Sequence, residues 1–123
     1  MLTKILQWTG ASLSAISLCA ALSPAFAHAR LVQSSPAADA AVAAPRTIKL
    51  TFSEKIVPAF SGLKLSMGDG MTVSTSTSLS DDGKTLTARP TSPFMAGKWT
   101  VSWHATAAND GHKTEGTFNF TVT

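Results

Sequence analysis

The chain has 123 residues, 44% of them hydrophobic, with one cysteine, no tyrosine and a formal net charge of +3 at pH 7 with histidine neutral. That length holds one domain at most. The basic residues are scattered singly rather than gathered into a stripe, which argues against nucleic acid as a partner.

In chain order, the first unit is a leader. Met1–Lys4 is a short basic start, the apolar run is strongest over Ile16–Ala21, and Pro24 precedes Ala25-Phe26-Ala27. A charged start, an apolar centre and a small-x-small end predict a secretory signal peptide over 1–27, cleaved after Ala27. The run is shorter than the ~20 residues of a bilayer span and carries several serines. The mature domain is then 28–123, exported to the periplasm. Removal of Lys4, the one charged residue of the leader, lowers the formal charge from +3 to +2. Cys19 leaves with the leader, and Leu18 before it is too large for a lipoprotein site. The mature domain therefore has no disulfide and no thiolate, and packing alone must hold it together.

The mature sequence alternates with period two. Ile48, Leu50 and Phe52 share one face of 47–52, and 63–67, 99–105 and 117–122 repeat the pattern. Residues 30–33, 71–74 and 85–88 are weaker versions. Such alternation predicts strands with one buried face. Turn chemistry separates them at Ser35-Pro36, Ala44-Pro45, Gly68-Asp69-Gly70, Asp81-Asp82-Gly83 and Ala96-Gly97. Pro36 and Pro45 leave the alanine-rich 37–44 room for little more than a turn. About seven short strands predict an all-β, Greek-key sandwich or barrel of immunoglobulin-like shape. The predicted core is Ile48, Leu50, Phe52, Leu65, Leu86, Trp99, Val101, Trp103, Phe118 and Phe120. The two tryptophans are expected to pack on each other or on the opposite sheet.

A cysteine-free chain offers few reactive groups. Cleavage would make His28 the first residue, whose free α-amine and imidazole can chelate one metal ion. An α-amine titrates near ~8, so a metal need displace only one proton near neutral pH. Such nitrogens suit Cu(II), which favours tetragonal nitrogen and oxygen donors. The second element is Asn109-Asp110-Gly111-His112. A tight bend at the glycine would let Asp110 and His112 converge, completing an amine, two imidazoles and a carboxylate. The competing reading is a solvated polar turn between the last two strands.

These pieces lie within a longer pattern: His28-Ala29, Ser35-Pro36-Ala37, the stretch 48–54 (Ile-Lys-Leu-Thr-Phe-Ser-Glu), Phe60-Ser61-Gly62, the stretch 96–103, Asp110-Gly111-His112 and Gly116-Thr117-Phe118. In order and spacing the mature chain resembles the copper-resistance protein C (CopC-like) family of periplasmic copper carriers. The resemblance implies a seven-strand β-barrel or sandwich binding one Cu(II) through His28, Asp110 and His112. It gives Glu54, in the Phe-Ser-Glu stretch, the role of orienting a ligand from behind. It implies an inner-membrane copper transporter as partner. His104 stands where relatives more often carry arginine, and its strand phase points it away from the core. Some relatives hold Cu(I) in a loop rich in methionine and histidine. Here Met67 and Met71 flank that stretch without a histidine and Met95 lies in another loop, so a Cu(I) site is not expected.

Two other functions compete. An N-terminal histidine with a second imidazole also resembles the copper brace of oxidative polysaccharide-cleaving enzymes. The short chain, the absent tyrosine and the lack of an exposed aromatic platform argue against it and against a glycan partner. A metal-free interaction module is the third reading, favoured if cleavage falls elsewhere. Hydrolysis fails on inventory: no Gly-x-Ser-x-Gly elbow is present, and Asp81-Asp82 is turn chemistry. A monomeric copper carrier without catalysis is the expectation.

Overall fold

The computed structural model describes residues 28–123. The expected signal peptide 1–27, with Cys19, lies outside the described residues. Among the described residues nine strands follow one another: β1 (Leu31–Ser35), β2 (Ala41–Val42), β3 (Ile48–Phe52), β4 (Gly62–Met67), β5 (Thr72–Val73), β6 (Thr75–Leu79), β7 (Thr85–Pro90), β8 (Gly97–Thr106) and β9 (Lys113–Val122). A 3-10 turn, Pro58–Phe60, precedes β4. Seven of the strands run five residues or more, and β2 and β5 have two each.

The strands form two sheets, ordered β1-β3-β7-β6 and β2-β9-β8-β4-β5. Every pairing is antiparallel except that of β2 with β9. Alternation decides which side chains meet between them. Ile48, Leu50 and Phe52 of β3 and Leu86 and Ala88 of β7 face Leu65 of β4, Trp99, Val101 and Ala105 of β8, and Phe120 and Val122 of β9. All are buried, and each large apolar side chain so buried contributes roughly 1.5–3 kcal/mol. The all-β sandwich expected from the alternation is the observed architecture.

Particular expectations shift. Trp103 and Phe118 are half-buried against the core rather than inside it. The cause at Trp103 is its cross-strand partner Gly116: the indole lies over the glycine, where a Cβ would come within 2.8 Å of Cζ2. Its other neighbour is Phe52 of the opposite sheet, edge-on with centroids 5.4 Å apart. Trp99 instead meets Phe94 at 4.9 Å and donates its indole N–H to the Met95 carbonyl at 2.9 Å. Phe94, from the turn-rich segment between β7 and β8, is a core residue that alternation did not reveal. Two strands were also unexpected. β6 is an edge strand whose serines and threonines leave no apolar face to read. β2 forms inside the segment expected to be only a turn, paired with the end of β9.

The long β8–β9 hairpin positions the site. Its register is unbroken from Gly97↔Val122 to Thr106↔Lys113, so the connection is the short loop 107–112. Ala107 N–H donates to the His112 carbonyl at 2.9 Å and Gly111 N–H to the Ala107 carbonyl at 3.0 Å. Ala108 N–H donates to the Lys55 carbonyl at 2.8 Å, tying the loop to the segment after β3.

Candidate metal centre

Asp110 shapes the loop tip. One carboxylate oxygen accepts the backbone N–H of His112 at 2.9 Å, a local turn that aspartate makes readily. Gly111 between them has φ of +72°, the left-handed region where glycine carries no Cβ penalty. The expected tight bend is present. The other carboxylate oxygen lies 3.1 Å from His112 Nδ1. The backbone N–H first, then the imidazole, hold the Asp110 carboxyl below its ordinary range, and the charge of His28 adds to this. The carboxylate is therefore negative at neutral pH.

The N-terminal arm brings the third group. The rings of His28 and His112 are 4.4 Å apart between centroids and tilted by 33°. His28, Asp110 and His112 each offer a ligand atom within 4.8 Å of the others. The His112 side chain is 63% accessible, so the trio sits at the rim of the sandwich, open to an incoming ion. The fold lays a second histidine, 84 residues earlier in sequence, against this turn.

Glu54 is not among the three. With Lys55, Lys84, Ala108 and Asn109 it lines a shallow depression of about 360 Å³, which borders the loop that carries Asp110. His104 is not part of the trio. It is half-buried on the outer face of β8, across from Gly62 and Glu115. The methionines lie at the other end of the hairpin. Met67 pairs with Trp99, packs on the core and lays its terminal methyl over Gly97, while Met71 and Met95 are exposed.

Two hydroxyls that sequence reasoning missed touch the arm. Ser53 Oγ accepts the Arg30 N–H at 2.9 Å, and Thr114 Oγ1 donates to the Ala29 carbonyl at 2.7 Å. In a chain rich in serine and threonine, neither residue carried a signal of its own.

Residues 31–123 match the model of the CopC domain. The chain belongs to the CopC family. The match begins three residues after His28 and includes Asp110 and His112. Among CopC relatives, copper resistance protein C of Xanthomonas campestris pv. juglandis is 39% identical over 105 residues, covering 80% of this chain and 82% of that protein. The crystal structure of PcoC, a methionine-rich copper resistance protein from Escherichia coli, superposes with a TM-score of 0.71 at 39% identity, covering 79% of this chain and all of that one. CopC from Methylosinus trichosporium OB3b superposes with a TM-score of 0.70 at 32% identity, covering 77% and 93%. This chain has four methionines in all, one of them Met1.

Proposed function

We propose that the mature chain is a periplasmic carrier of one Cu(II) ion, bound by the α-amine and imidazole of His28, the carboxylate of Asp110 and the imidazole of His112. The observation that carries the reading is the convergence of these three residues in a member of the CopC family. The donor set fits the ion: nitrogen and oxygen ligands in a tetragonal arrangement favour Cu(II), which also tops the divalent affinity order. A negative carboxylate beside the ion favours the divalent state over the monovalent one. That suits capture, buffering and handover better than redox turnover, so the reading is a binding protein for copper resistance and not an enzyme.

Copper is cargo here. The rim position and the exposure of His112 give a transfer partner direct access, and an inner-membrane copper transporter is the partner this reading names, with the carrier acting as a monomer. Glu54, which shares a depression with Ala108 and Asn109 of the ligand loop, is assigned the role of orienting the site from behind. Met67, Met71 and Met95 take no part in it, and no Cu(I) site is proposed.

The test compares the chain beginning at His28 with one carrying a single extra glycine before it. Each receives one equivalent of Cu(II), followed by intact mass, chelator competition and paramagnetic resonance. The reading expects one tightly held ion with a nitrogen-rich tetragonal spectrum in the first. It expects a loss of affinity in the second that exceeds the loss in Glu54→Ala. Equal affinity with and without the glycine would remove the amine from the ligand set.

A further inference from the structure

The arm that carries His28 has no regular secondary structure over 28–30, yet it is bonded at each residue. Ser53 acts twice on Arg30: its Oγ accepts the Arg30 N–H at 2.9 Å, and its own N–H donates to the Arg30 carbonyl at 2.8 Å. Its hydroxyl also reaches the His28 carbonyl at 3.5 Å. From the other sheet, Thr114 Oγ1 donates to the Ala29 carbonyl at 2.7 Å. The Ala29 methyl between these bonds is fully buried. We propose that Ser53 and Thr114 form a clamp that positions the N-terminal tripeptide, and that the clamp sets Cu(II) affinity by holding the His28 donors against Asp110 and His112 before the ion arrives.

The physical case rests on where the two hydroxyls sit. Chain termini fray unless tied down. Ser53 follows the last residue of β3, and Phe52 already pairs with Leu31, so Ser53 continues the β1–β3 pairing past its regular end. Thr114 lies on β9, two residues beyond His112. One bond therefore ties the arm to the hairpin that carries the other two ligands, and the remaining bonds tie it to the facing sheet. Ala29 is fully buried in the core cluster, which anchors the middle of the arm. An arm ordered in advance does not have to be ordered at the moment of binding, and groups that orient ligands in this way alter metal affinity by roughly 10- to 100-fold. The bonds of Ser53 and Thr114 to the arm go to its backbone atoms. Both are positioning residues, and the inference rests on the copper reading above.

The experiment uses the chain beginning at His28 and its variants Ser53→Ala, Thr114→Val, Ser53→Thr and Thr114→Ser, with His112→Ala as the ligand control. Cu(II) affinity by chelator competition and the paramagnetic resonance spectrum are read alongside hydrogen exchange at the Arg30 amide in the metal-free protein. Ser53→Ala and Thr114→Val are expected to weaken Cu(II) binding by roughly 10- to 100-fold and broaden the spectrum. Ser53→Ala is also expected to speed exchange at Arg30, and the two conservative variants to restore wild-type values. If His112→Ala loses copper while Ser53→Ala and Thr114→Val keep wild-type affinity and spectrum, the clamp is wrong and the copper reading stands. If His112→Ala binds like the wild type, the copper reading fails, and with it the clamp's proposed purpose. Unchanged Arg30 exchange in Ser53→Ala overturns the clamp in either case.

Discussion

Gly111 is where backbone conformation and the proposed site are most directly coupled, and Gly111→Ala separates them. At φ of +72° an L-residue costs about 1–2 kcal/mol in the left-handed region. A Cβ there would meet nothing within 4 Å, so no clash adds to that figure. The cost must appear in one of two places. If the metal-free loop keeps its shape, held by the Gly111 N–H to Ala107 and the Asp110 cap, the fold loses about 1–2 kcal/mol. For a domain of this size that lowers Tm by roughly 4–8 °C per kcal/mol, and copper affinity stays constant. If the metal-free loop relaxes instead, Tm holds and the cost is charged on binding, where 1–2 kcal/mol is a factor of roughly 5–30. Calorimetry and chelator competition on the same samples measure the two parts, and their sum should be near 1–2 kcal/mol. Gly111→Asn should show a smaller sum, because asparagine enters this region more readily. Wild-type Tm and affinity in Gly111→Ala, or a larger loss in Asn than in Ala, would refute the idea that this bend is what brings Asp110 and His112 together.

Three further outcomes are expected. His112→Ala should weaken Cu(II) binding strongly and His104→Ala should leave it unchanged, since His104 lies outside the trio on the outer sheet face; equal losses by chelator competition would sink the ligand assignment. Gly116→Ala should push the Trp103 ring off its seat and loosen its contact with Phe52, an overpacking cost of about 1–3 kcal/mol, seen as a lower denaturant midpoint and altered tryptophan emission; an unchanged midpoint would count against it. At Asp82, the Ser80 hydroxyl first and then the Lys84 N–H hold the carboxyl below its ordinary value of 3.8. A depressed carboxyl stabilises the fold above its unfolded-state pKa, and the contribution is lost as pH falls through the lower folded value. Asp82→Asn should therefore flatten the stability-versus-pH curve below about 4, and an acid limb identical to wild type would refute this.

The sandwich was legible where one face of a strand is buried. β3, β4, β8 and β9 alternate because each covers the core on one side. β6 was illegible for the converse reason: an edge strand of serines and threonines is held by backbone pairing with β7, which leaves no mark in the side-chain pattern. Phe94 was missed because it reaches the core from an irregular segment, where no period operates. Alternation gives the inward face of Trp103 and says nothing of the glycine opposite, over which the half-buried indole lies. At the site, Asp-Gly-His was readable since its geometry is local: a cap, a left-handed glycine and two side chains. The Ser53 and Thr114 bonds to the arm join residues 23 or more apart in sequence, and only the fold brings them together.

A single hairpin carries Asp110, His112 and Thr114, so once β8 and β9 are in register, two proposed ligands and half of the clamp stand in fixed relation. What remains is to dock three residues of arm, whose position is set by Ser53 at the end of β3. The site then depends on the hairpin and on one end of β3, and hardly at all on the far end of the sandwich. Met67, opposite Trp99, is seven residues along β8 from Thr106, roughly 23 Å at the rise of a strand. Sites so far apart, sharing no partner, contribute additively. Changes at Met67, Met71 or Met95 should therefore combine with changes at His112 without coupling, each end of the sandwich answering for its own chemistry.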